Sequence, residues 1–132
     1  MARPVPLVLQ HRLVEGRIGP TTFRVSGGKD HIDCHGAISV SGLGWTLTGR
    51  ALRKRNAITI YVTASRQTTD RNLDLEDHDY SVTLKNLTPG RYTLRVMHQC
   101  IQSGEETHQA VAAVYDAAVM VGQTAPAMRA RV

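Results

Sequence analysis

The chain has no run of about eighteen apolar residues, which excludes a transmembrane helix. Its first residues, MARPVPLVLQHRLVEG, carry one short apolar stretch but neither a signal core nor a small-residue cleavage site, so no secretion signal is predicted. Aromatic residues make up only 5% of the chain, too few for the stacking platforms that nucleic-acid binders add to their charge. Serines and histidines occur without a nucleophile elbow or a triad signature, so hydrolytic catalysis has no motif to stand on and no enzyme is predicted.

What remains describes one ordinary globular domain. Its 132 residues, 42% hydrophobic and 20% charged, suffice for a single core and fit neither disorder nor a fibrous repeat. The formal charge of +5 favours an acidic partner, but the cations are scattered. The one dense run is the RALRKR turn with Arg50, Arg53, Lys54 and Arg55, and Arg129 and Arg131 form a smaller cluster. A solvated turn accounts for the run; a basic, nucleic-acid-associated subunit centred on it is the alternative.

Alternation of apolar and polar residues dominates the middle of the chain, and a period of two means one buried and one wet face. Ile32, Cys34, Gly36, Ile38 and Val40 share a parity, as do Trp45, Leu47, Gly49 and Ala51, and then Ile58, Ile60, Val62 and Ala64. Tyr80, Val82 and Leu84 lead into a corner from which Tyr92, Leu94 and Val96 emerge. The segment 109–121, QAVAAVYDAAVMV, reads as a strand whose odd positions from Val111 to Val121 face inward, although a helix starting from a capping box at Ser103 and Glu106 competes. Pro4, Pro6 and Pro20 punctuate the start, confining it to a sheet edge or a docking arm in which Pro4, Leu7 and Leu9 form a possible interface.

The corner itself, Leu84-Lys85-Asn86-Leu87-Thr88-Pro89-Gly90-Arg91-Tyr92-Thr93-Leu94-Arg95-Val96, resembles the E to F segment of fibronectin type III and related immunoglobulin-like domains. Transthyretin-like and carboxypeptidase-regulatory-like modules carry a similar corner. The resemblance implies a core-packed Tyr92 whose hydroxyl bonds back to upstream backbone, with Leu87 beside it and Trp45 as a core aromatic on an earlier strand. The antibody-type cysteine spacing is absent, since Cys100 lies eight residues after Tyr92. The fold expected is all-β: an antiparallel, immunoglobulin-like β-sandwich of about seven strands spanning 21–122, with an N-terminal arm over 1–20 and a tail over 123–132.

Candidate chemistry is sparse. Cys34 and Cys100 both take inward parity and could form a disulfide or remain free thiols. His31, Cys34, His98 and Cys100 have side chains suited to zinc or copper, which makes a metal-binding protein the main rival reading, although the spacing matches no metal motif. The carboxylates Asp70, Asp74, Glu76, Asp77 and Asp79 supply oxygen ligands but lack the spacing of a calcium loop. Asn86-Leu87-Thr88 matches a glycosylation sequon inside a tight corner. The expectation is therefore a cofactor-free structural or interaction module with a protein partner or a copy of itself. A repeated or auxiliary subunit of a virus particle or cell-surface assembly is one such setting.

Overall fold

In a computed structural model, residues 2–14, 23–41, 44–66, 75–102 and 108–122 are described. They form nine strands and, among these residues, no helix: β1 (Arg3–Pro4), β2 (Leu7–Val14), β3 (Arg24–Gly27), β4 (Ile32–Ser41), β5 (Thr46–Lys54), β6 (Ala57–Arg66), β7 (Leu75–Leu84), β8 (Gly90–Gln102) and β9 (His108–Val121). A five-stranded sheet runs β1-β5-β6-β8-β9, and a four-stranded sheet runs β2-β7-β4-β3.

The core lies where the alternating runs meet. Ile58, Ile60, Val62, Leu94 and Val96 of the larger sheet are buried with Ile32, Cys34, Val82 and Leu84 of the smaller one. Each β-branched or leucine side chain withdrawn from water contributes roughly 1.5–3 kcal/mol, and the wet positions between them leave both sheets an outer face. The segment 108–121 is strand, not helix.

Two features depart from the expected antiparallel, seven-strand pattern. The described residues form nine strands, and β6 pairs with β8 in parallel, Ile58 opposite Leu94 and Val62 opposite His98. The cause is topological. The strands β6, β7 and β8 reverse direction in turn, but β7 lies in the other sheet, so β6 and β8 become neighbours after two reversals and point the same way.

One flank is closed by the start of the chain, and the other is closed only at the end of β9. At one, the chain crosses between sheets at Val5 and Pro6: Val5 N–H donates to the Ala51 carbonyl (3.0 Å) and Lys85 N–H to the Pro6 carbonyl (3.1 Å). The stretch 3–14, expected as an arm or an edge strand, is thus an edge strand of each sheet in turn. Leu7 and Leu9 are half-buried against the core, while Pro4 is exposed. At the other flank β3 meets β9. Gly122 N–H donates to the Gly28 carbonyl (2.8 Å), and a Cβ on Gly27 would overlap the Met120 carbonyl oxygen. Residues 15–22 of the arm and the tail 123–132 lie outside the described residues.

Candidate interaction surfaces

The corner residues are structural. Tyr92 is buried at 1% exposure, and its hydroxyl donates to the Thr88 carbonyl at 2.6 Å. Leu87 is buried beside it, with its N–H donating to the Asp30 carbonyl (2.9 Å). Asn86 takes the left-handed conformation (φ 61°), which asparagine tolerates better than most residues. Trp45 is partly buried under the Arg66 guanidinium, 4.7 Å from its ring centroid.

The basic turn is partly engaged within the chain. Arg50 lies 4.6 Å from the Tyr61 ring centroid and Arg53 lies 5.2 Å from that of Tyr92, while Arg53 Nε donates to the Arg55 carbonyl (2.6 Å). Lys54 ends β5, and Arg55 begins the two-residue turn into β6. Two of the four cations therefore stack on rings of this chain.

Both cysteines are free thiols. Their heights in the sandwich explain why. Tyr80 and His98 meet across the sheets, with the phenol oxygen 2.6 Å from Nε2. Cys34 lies one inward position to one side of that level, opposite Val82, and Cys100 one inward position to the other side, beyond His98. Four residues of strand rise separate them, roughly 13 Å, beyond the reach of a disulfide. Burial, reinforced by the Asp33 carboxylate, pushes the Cys34 thiol up to about 12, and burial also raises Cys100.

The same geometry separates the four expected metal ligands. His31 lies at the far end between Asp30 and Asp33, each 3.3 Å away, and His98 is engaged by Tyr80. Among the described residues no three histidine, cysteine or acidic side chains assemble as a metal-binding group. Of the acidic run, Asp79 lies 4.0 Å from Arg12 and Asp77 accepts from Ser39, while Asp70 and Asp74 lie outside the described residues.

The register reveals two outer faces of different chemistry. On the five-stranded sheet, Tyr61, Met97 and Ala113 stand in one cross-strand row, with Ile101 and Val111 nearby on the same face. Val111 and Val114 are 49% and 40% exposed. Sequence alternation places Val111 inward, but a bulge intervenes: Val96 pairs with Tyr115 and Met97 with Ala113, leaving Val114 as the extra residue. An extra residue in one strand reverses the facing of everything beyond it. Val111 and Ala113 thereby turn outward.

On the four-stranded sheet the outer face is polar and holds a cleft of about 460 Å³ lined by residues of all four strands. Among the described residues, no helix is long and apolar enough to cross a membrane. Comparison of the chain with models of known families, with characterised proteins and with solved structures returned no match.

Proposed function

We propose that this protein is a non-enzymatic assembly module that associates with a second copy of itself through β9 and the adjoining outer face of the five-stranded sheet. One observation carries the reading: at the β9 edge, where a solvated sheet requires polar side chains, Val111, Ala113 and Val114 are exposed beside half-buried Met97 and Tyr61. From Val111 to Tyr115 no charge or proline interrupts the edge. Natural sheets blunt open edges with charges, prolines or bulges; here only the bulge at Val114 stands in the way, and the apolar side chains beside it invite a further strand.

A second copy satisfies the edge with little conflict. A two-fold antiparallel pairing sets this uncharged segment against itself, so no like charges oppose one another. The nearby Asp116 is held by Arg95 of its own sheet at 3.0 Å. Immunoglobulin-like ancestry is compatible with the corner at Tyr92, and the module reading does not require it. A subunit of this kind suits a repeated or auxiliary place in a larger particle or surface complex.

Sedimentation of the wild-type protein and of Val111→Lys tests the reading. The expected result is a concentration-dependent dimer that Val111→Lys converts to a folded monomer, because each copy then brings a charge into the apolar pairing segment. A wild type that stays monomeric throughout, or a dimer indifferent to the lysine, refutes it.

A further inference from the structure

We infer that the cleft on the four-stranded sheet is a binding site for a small, elongated carboxylate whose acid group sits at Arg24 and whose hydroxyl-bearing body lies across the strands towards Gln10. The inference comes from the pairing register. Arg24 of β3 stands opposite His35 of β4, His35 opposite Ser81 of β7, and Ser81 opposite Gln10 of β2. These four side chains form one straight row across the whole sheet, and all four line the cleft.

Neighbouring rows on this face are bonded within themselves. On one side Thr83 donates to Asp33 at 2.8 Å; on the other Arg12 lies 4.0 Å from Asp79, and beyond it Ser39 donates to Asp77. The middle row differs. Among the described residues, no side-chain hydrogen bond or ion pair involves Gln10, Ser81, His35 or Arg24. Among the described residues of this face, the row that could have bonded across the strands and does not is the row in the cleft.

Its chemistry defines the ligand. Guanidinium, imidazole, hydroxyl and carboxamide all offer N–H or O–H donors, and Arg24 brings a permanent positive charge with a fork suited to a carboxylate. Asp79 at the margin is already beside Arg12, which leaves the cleft positive. Strands lie about 4.8 Å apart, so the row spans roughly 14 Å. A bare inorganic anion would satisfy only one end, whereas a sugar acid of disaccharide length would meet Arg24 with its carboxylate and Ser81 and Gln10 with its hydroxyls.

Lactobionate is the probe, with lactose and inorganic phosphate as the two controls, titrated into the isotopically labelled 132-residue chain and followed by amide chemical shifts. The expected result is saturable shifts at Gln10, Arg24, His35 and Ser81 with lactobionate, at least about tenfold weaker for lactose, which lacks the acid. Phosphate should also bind at least about tenfold more weakly, since it lacks the body. Arg24→Gln should weaken lactobionate binding about tenfold or more, as loss of a charged hydrogen bond does, with shifts elsewhere in the sheet unchanged. Ser81→Ala should weaken it by less and leave phosphate binding unaltered. Absence of saturable shifts, equal binding of lactose, equal binding of phosphate, or indifference to Arg24→Gln would each overturn the assignment.

Discussion

Tyr80 and His98 join the two sheets through a single polar contact, the phenol oxygen 2.6 Å from the imidazole Nε2 with the rings at 71° to one another. Burial lowers His98 from its ordinary 6.5 and raises Tyr80, so both are neutral at pH 7 and share one hydrogen bond whose direction follows the imidazole tautomer. A histidine whose folded value is depressed stabilises the fold above its unfolded value. That contribution falls away as the pH drops below about 6.5, because the unfolded chain takes the proton first. Urea unfolding at a series of pH values should therefore show stability declining through this window. His98→Gln keeps an acceptor for Tyr80 and removes the titration, so it should flatten the decline. Tyr80→Phe should cost about 1–2 kcal/mol by stripping the part-buried Nε2 of its hydrogen-bond partner.

The thiols give an independent check on the same stagger. With Cys34 pushed up to about 12 and Cys100 raised less deeply in the fold, native protein near neutral pH should react slowly with a disulfide reagent, Cys100 first and Cys34 only on unfolding. A folded value above the unfolded 9.0 means that the Cys34 contribution is complete below 9.0 and is lost as pH rises from there towards about 12. Mass spectrometry of the labelled protein would read the order, and simultaneous labelling would contradict it.

Closure of the β3 and β9 flank depends on the absence of a side chain at Gly27, where a Cβ would collide with the Met120 carbonyl. Backbone cannot yield as a side-chain tip can. Gly27→Ala should cost about 1–3 kcal/mol and weaken the amide protection of Gly122, whose N–H bonds to Gly28. Gly44→Ala is the control: a Cβ there meets nothing within 4 Å, and only its φ of +84° opposes it. It should cost about 1 kcal/mol and leave Gly122 protected.

The strands were legible because their period is local: β6 alternates through Ile58, Ile60, Val62 and Ala64, and each falls in the core. Adjacency was not. Nothing in Ile58 or Leu94 announces that they stand side by side, because the parallel pairing of β6 and β8 depends on where β7 docks. The bulge at Val114 is hidden for a related reason. Odd positions stay apolar or small straight through it, so alternation alone carries Val111 to the wrong face. The cleft row joins residues from four distant segments, and only the register assembles Gln10, Ser81, His35 and Arg24. Residue types at the corner were readable because Leu87 and Tyr92 sit within one short local motif.

That motif supplies the sharpest stability test. The Tyr92 ring fills the core while its hydroxyl reaches the Thr88 carbonyl at 2.6 Å and the Thr88 hydroxyl at 3.1 Å, tying the start of β8 to the turn that delivers the chain from the other sheet. Tyr92→Phe keeps the ring and removes the tie, and the orphaned carbonyl should cost about 1–2 kcal/mol. Tyr92→Ala removes the ring as well and should cost about 3–5 kcal/mol through the cavity it leaves. Thr88→Val deletes only the weaker, longer contact, because the backbone acceptor remains, so its cost should be well below that of Tyr92→Phe. Equilibrium unfolding of the three variants checks the order, and a Thr88→Val protein as unstable as Tyr92→Phe would show that the side-chain contact, not the backbone one, holds the corner.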